Sequence, residues 1–165
     1  MKKIHLIRHA KSSWKHNLSD IKRPLNKRGI EACSLMAPHL VDAGCRFDNA
    51  YCSPAVRAIS TIELISQNLP ALSIQWQVED ELYSFDSDDI YDWCRSLNES
   101  VNEILVVGHN PAFTEFCNEL SNSDISNIPT CGYVQLTGKN KTSWRDLSGN
   151  YFELTKFLRP KEFMV

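Results

Sequence analysis

The sequence predicts an α/β protein, a three-layer α/β/α sandwich around a mostly parallel sheet. Three observations point there. Short apolar runs at residues 4–7 and 104–107 lack the alternation of a half-exposed strand, and such continuity suits strands covered on both faces. Polar turns follow these runs, and segments of helical periodicity follow the turns, the alternation that builds parallel sheets. Near the C-terminus, strand-like runs at 133–136 and 151–154 are separated by Gly- and Asn-rich turns, which places one strand there against the parallel direction. The 165 residues suit one domain, 1–165, that buries roughly 70% of the surface its unfolded chain exposes.

The first strand spans 4–7 and is apolar apart from His5. Beyond a polar loop containing Arg23-Pro24, residues 26–43 carry Ile30, Cys33, Leu35, Met36, Ala37, Leu40 and Val41 at helical spacing, and Gly44 closes the run. Pro38 predicts a kink or break within it. Tyr51 and Cys52 end a second strand, with Ser53 the expected N-cap and Pro54 the expected first residue of the next helix. Ala55, Ile59, Ile62, Leu64, Ile65 and Leu69 supply that helix's packing face, and Pro70 stops it.

Residues 72–78 read as a strand of mixed pattern. The Asp88-Asp89 pair favours a helix N-terminus, and Ile90, Trp93, Cys94 and Leu97 continue that helix. After the strand at 104–107 comes a turn, Gly108-His109-Asn110, then a helix from Pro111 with Asn110 as cap. A Ser- and Asn-rich stretch, 121–132, reads as a surface loop, and 141–147 as a further strand candidate.

Composition narrows the functional classes. Eighteen Lys+Arg against 20 Asp+Glu give a net charge of -2, which argues against nucleic acid or anionic lipid as a partner while allowing a local cationic pocket. No stretch reaches the length of a membrane span, and the apolar run in MKKIHLIRHA is too short and too interrupted for a secretion signal. The six cysteines form no CxxC pair, so they read as reduced, buried residues with no metal role. The expectation is a soluble protein of a reducing cytoplasm.

Parallel strands present their carboxyl ends on one edge of the sheet, where ligands bind. Three candidate endings meet there: Arg8-His9, the turn from Ser53 to Arg57, and His109. Arg57 is expected about four residues inside its helix, where a cation opposes the dipole by roughly 0.3–1 kcal/mol. A bound anion removes that conflict, because helix amides and a guanidinium fork can clasp the same phosphate oxygens. Arg8 supplies a second fork and His109 an imidazole donor. Taken singly, Arg8 reads as a solvent-facing or ion-paired strand end, His9 as a loop residue and His5 as scaffold. Together they form a phosphate cradle. The chain has no GxxxxGK[ST], no early GxGxxG, no HExxH and no carboxylate cluster, so nucleotide-loop, dinucleotide and metal-phosphatase readings lack support. Ser53 lacks the GxSxG context of an acyl-transfer nucleophile. A neutral imidazole can attack phosphorus, and neighbouring cations keep His9 unprotonated.

The motifs LIRHAKS, SPAVRAISTIE and VVGHNP, with RPLNKRG at 23–29 and ELYSFD at 81–86, resemble those of the histidine phosphatase superfamily, also called phosphoglycerate mutase-like. The resemblance spans most of the chain and is closest to the short bacterial branch associated with phosphohistidine phosphatase activity. It implies that His9 is the nucleophile and forms a transient phosphohistidine, while Arg8, Arg57 and His109 bind the transferring phosphoryl group. It implies no metal or organic cofactor. Arg23 and Lys11 would line the substrate entrance. Glu81 would protonate the leaving group, with Glu79, Asp80 and Asp86 as competitors. Brief loops imply an open pocket suited to phosphohistidine on a protein, such as a phosphotransfer domain of a signalling relay. The alternatives are a small-molecule phosphomonoesterase or mutase of the same superfamily and a non-catalytic phospho-ligand binding module.

Overall fold

The first apolar run becomes β1 (Lys3–Arg8). The computed structural model describes every residue from Met1 to Val165. Five further strands, β2 (Ala50–Cys52), β3 (Trp76–Val78), β4 (Glu103–Gly108), β5 (Tyr133–Gly138) and β6 (Phe152–Leu158), join β1 in one sheet of order β3-β2-β4-β1-β5-β6. Pairing is parallel from β3 to β1, and β5 is antiparallel to both β1 and β6, so β5 alone runs against the rest. Helices α1 (Lys27–Asp42) and α2 (Val56–Gln67) cover one face, α3 (Ser87–Arg95) and α4 (Ala112–Ser121) the other. This is the three-layer arrangement with one reversed strand that the sequence predicts.

The strand pattern explains both layers. Ile4 and Leu6 of β1 and Ile104 and Val106 of β4 face α3 and α4, whereas Ile7, Leu105 and Val107 face α1 and α2. Each face packs a core of 20 buried residues, so successive side chains are buried in both directions and need no polar alternation. His5 points to the α1/α2 side, fully buried, with Nδ1 2.7 Å from the Tyr133 hydroxyl and Nε2 2.6 Å from Glu103 Oε2. It is scaffold, as its depth in the strand suggests.

Several local expectations are corrected. Pro38 neither breaks nor ends α1. It lies on the exposed face above Ser34, also exposed, where water can satisfy the carbonyl that loses its amide partner. Ser53 is not the cap of α2: the cap is Ala55 and the helix starts at Val56, which makes Arg57 its second residue rather than its fourth. The Ser53 hydroxyl lies 2.7 Å from His109 Nε2 instead. Asn110 lies one residue before the cap of α4, yet its Oδ1 accepts the capping bond from the Thr114 amide at 3.1 Å.

The predicted strand at 72–78 shrinks to β3 because Ser73 adopts a left-handed conformation, φ 47°, after a 3-10 turn at Pro70–Leu72. Helix α3 stops short of Leu97, the Ser96 hydroxyl donating to the Trp93 carbonyl at 2.6 Å. No strand forms at 141–147. The amides of Trp144 and Arg145 donate instead to the Glu99 carboxylate, each at 3.0 Å, which removes the donors a ladder would need.

Two features position the site. Arg8 pairs with Gly108 and Cys52 with Val107, so the carboxyl ends of the adjacent strands β2, β4 and β1 finish level. The loop from residue 10 to 25 is then tied to the start of α1. Asn26 donates its amide to the Lys11 carbonyl at 3.0 Å and caps the helix through Oδ1 on the Gly29 amide at 2.8 Å. A Cβ on Gly29 would fall 2.1 Å from the Lys11 carbonyl oxygen. Gly29→Ala must displace backbone rather than a flexible side chain, and should lower stability by about 1–3 kcal/mol. Urea unfolding measures this, and an unchanged midpoint would contradict the close-approach argument.

Candidate active site

His9 and His109 each follow the last residue of a strand, and Ser53 does the same one strand further along. Their places are fixed by one more rung of backbone pairing: the His9 amide donates to the Gly108 carbonyl and the Ser53 amide to the Val107 carbonyl, both at 3.0 Å. The two imidazoles lie with ring centroids 5.2 Å apart. Arg57 reaches them from the first turn of α2, its side chain 2% exposed.

The hydrogen bonds fix the chemistry of each ring. His9 Nδ1–H donates to the Ala10 carbonyl at 2.8 Å. That bond selects the tautomer whose Nε2 carries a lone pair, and Nε2 lies 3.3 Å from Arg57 Nε. Burial is the main reason the His9 pKa falls to about 4; Arg57, Arg8 and Arg23 push the same way, against the Ala10 bond. His109 falls to about 3, through burial first and then the neighbouring His9 and Arg57. Both rings are therefore neutral at pH 7.

Ser53 Oγ accepts the Ala55 amide at 3.2 Å and lies 2.7 Å from His109 Nε2. His109 is thus held at both ring nitrogens, Nε2 by the Ser53 hydroxyl and Nδ1 by Arg57 Nη2 at 3.5 Å. Tyr83 and Phe85 wall this side, their rings edge-on to His109 at 5.5 and 5.4 Å.

Arg57 is oriented by a residue that sequence reasoning missed. Asp20, in a 3-10 turn at Asp20–Lys22, accepts from Arg57 Nη1 through its carbonyl at 2.6 Å and from Nη2 through Oδ2 at 2.9 Å. Tyr83 donates to the same Oδ2 at 2.6 Å, and Arg23 Nε to Oδ1 at 3.2 Å. Burial disfavours the Asp20 charge, but hydrogen bonds from Tyr83 and Arg57 and the charge of Arg57 outweigh it and hold the carboxyl at about 2. Asp20 thus grips the outer edge of the guanidinium and leaves the Nε–Nη2 edge turned toward the imidazoles. The only trace in the sequence was an acid three residues before Arg23 in a loop, an unspecific signal.

The other expected residues divide. Arg8 borders the site, with Nη1 on the Ile128 carbonyl at 2.9 Å and a buried Nε–H that has no partner. Arg23 is buried and committed to the loop: Nη1 donates to Ser12 Oγ at 2.6 Å, and its guanidinium lies 3.5 Å from the Trp14 ring centroid. It braces the 10–25 loop rather than standing open at an entrance. Lys11 is exposed. Glu81 lies exposed in a 3-10 turn at Asp80–Leu82, and no hydrogen bond or ion pair joins its side chain to His9, Arg57 or His109. Of its competitors, Asp86 is the cap of α3. All six cysteines are buried thiols without a disulfide.

The profile of the histidine phosphatase superfamily, branch 1, matches residues 4–92, which include β1, the Asp20 loop and Arg57. The chain belongs to this superfamily. Two uncharacterized proteins from strains of Mycobacterium tuberculosis are 30% identical over 105 residues, 64% of this chain and 63% of theirs. The chain thus spans under two thirds of the length of those curated relatives. A chain from Agrobacterium tumefaciens assigned as the phosphohistidine phosphatase SixA superposes with a TM-score of 0.79 at 25% identity, covering 96% of this chain and 98% of that one. A phosphoserine phosphatase from Entamoeba histolytica, solved with 3-phosphoglyceric acid, shares the fold at a TM-score of 0.71 and 14% identity, covering 99% and 100%.

In an NMR titration the His9 and His109 rings should stay neutral as pH falls through 6 and charge only near 4 and 3; midpoints at the ordinary 6.5 would show that the rings are not desolvated as described. Asp20→Ala should weaken inorganic phosphate binding by roughly tenfold, and Asp20→Asn, which keeps an acceptor for Arg57, by less. Calorimetric titration reads both, and equal affinities in all three proteins would remove Asp20 from the orientation of Arg57.

Proposed function

We propose that this protein is a phosphatase that removes the phosphoryl group from phosphohistidine on another protein through a covalent phosphohistidine at His9, and that residues 1–165 act as one histidine phosphatase-type domain. The observation that carries the chemistry is the lone pair on His9 Nε2, held by the Nδ1–Ala10 bond and facing Arg57 Nε–H at 3.3 Å.

His9 Nε2 attacks the phosphorus, the phosphorus–nitrogen bond of the substrate breaks, and the departing imidazole takes a proton from water. Arg57, His109 and the unpartnered Arg8 Nε–H hold the equatorial oxygens as charge spreads over them. Water then attacks the phosphoenzyme, gives up a proton to solvent, and releases inorganic phosphate with His9 restored. A dianion in the site opposes the cations that depress His109, which lets the ring strengthen as a donor when substrate is bound. Lys11, exposed two residues beyond His9, is the cation this reading places at the entrance.

The choice of substrate rests on what surrounds the leaving group. Expelling an alkoxide calls for a poised acid. Asp20 is held ionised at about 2 and engaged by three donors' side chains, and Glu81 has no bond into the site. A phosphoramidate leaves with less help, so this arrangement favours phosphohistidine. Resemblance to the SixA-type chain supports the same substrate class. A small-molecule phosphomonoesterase is the second reading, supported by the fold shared with the phosphoserine phosphatase.

Turnover on a phosphohistidine peptide, a phosphoserine peptide and a panel of small phosphate esters tests both. Phosphohistidine should be preferred by roughly a hundredfold or more, the contribution of a missing general acid. Rapid quenching should trap an acid-labile phosphoenzyme with wild type and none with His9→Ala. Turnover that survives His9→Ala sinks the nucleophile, preference for an ester transfers the chain to the second reading, and a large loss in Glu81→Gln would restore Glu81 as the acid.

A further inference from the structure

We propose that the basic clefts around the N-terminus of α1 dock an acidic segment of the phosphoprotein substrate. This rests on the reading of His9 as acceptor of a phosphoryl group from a protein.

Two clefts adjoin there and share Lys11 and Arg28. One, of about 580 Å³, also contains Lys15 and Lys27; the other, of about 240 Å³, contains Arg159 and Lys161. Six cations therefore line this surface, and no Asp or Glu does. Only Arg159 among them has an ion-pair partner, Glu162 at 3.3 Å. With a net charge of -2 for the whole chain, the positive excess is local.

The placement of two of these cations is unfavourable in the free protein. Lys27 and Arg28 are the first two residues of α1, whose first turn contains no acid. Cations at that end oppose the helix dipole, and an anion seated against them reverses the sign. The surface also abuts the site. Lys11 is two residues beyond His9, and Thr130 lines the smaller cleft just before Cys131, whose amide donates to the Arg8 and His9 carbonyls at 3.0 and 3.1 Å. An occupant there is already beside the phosphoryl position. Spread over two clefts joined at Lys11, the cations match an extended run of carboxylates better than one compact second phosphate.

The test uses two phosphohistidine peptides, one with Asp and Glu flanks and one with Asn and Gln flanks, and the unphosphorylated acidic peptide as a binding probe that needs no turnover. Wild type should favour the acidic-flanked substrate by roughly tenfold, chiefly through KM. That preference should shrink as salt rises from about 0.05 to about 0.5 M, collapse in Arg28→Glu/Lys161→Glu, and persist in the charge-conserving Arg28→Lys/Lys161→Arg. Glutamate at position 28 suits the start of a helix, so loss of the preference does not stem from loss of the fold. Binding of the acidic peptide without turnover of any phosphopeptide would sustain the docking surface and sink the phosphatase reading. Equal use of both peptides, an unchanged preference in the charge-reversed protein, or tighter binding to an RNA oligonucleotide or phosphatidylserine vesicles than to the acidic peptide would overturn the inference.

Discussion

A guanidinium buried beneath a sheet edge has to be compensated, and in this structure the compensation of Arg57 organises everything around it. Arg57 sits at 1% exposure, where an unpaired charge would be prohibitive. The partner is not a neighbour in the sheet or helices. It is Asp20, brought in by a loop that leaves β1, crosses the mouth of the site and re-enters at α1. The tie between Lys11, Asn26 and Gly29 fixes the far end of that loop, Arg23 and Trp14 brace its middle, and Tyr83 completes the carboxylate from the opposite wall. A long loop is thereby made part of the rigid framework.

The same arrangement separates charge from nucleophilicity. Burial first, and three arginines with it, hold the His9 ring neutral, and no acid pairs with it. Asp20, the one carboxylate bonded to this cluster, is turned to the guanidinium instead of to either imidazole. A serine, not an acid, orients His109. The site therefore combines permanent cations with neutral imidazoles, the pairing on which the proposed phosphoryl transfer rests.

The layers, strand order class and reversed strand were legible because periodicity records which faces are buried. Arg8, His9, Arg57 and His109 could be assembled on paper because strand ends in a parallel sheet converge whatever the loops do. What periodicity does not record is side-chain partnership across long separations. Ser53 looked like a helix cap since Ser-Pro is a local signal; its bond to His109 spans 56 residues. Asp20 and Tyr83 were hidden for the same reason, 37 and 26 residues from Arg57 in the chain. Glu81 stands in a motif that resembles the family's, and the turn that carries it exposes it to solvent. The 141–147 segment looked like a strand until Glu99 claimed its amides.

The reversal of β5 has a consequence for how such a protein can change. Because β5 runs against β1, it enters the sheet at the level of the site, with Tyr133 beside Ile7. The preceding segment, 122–132, therefore arrives at the mouth rather than at the opposite edge, and supplies the Ile128 carbonyl that holds Arg8. Residues added to the outer part of this segment would enlarge the wall of the pocket without shifting any parallel strand, since loop closure depends only weakly on length. The reversed strand is thus the place where the pocket wall can grow while the arginine–histidine cluster is inherited intact.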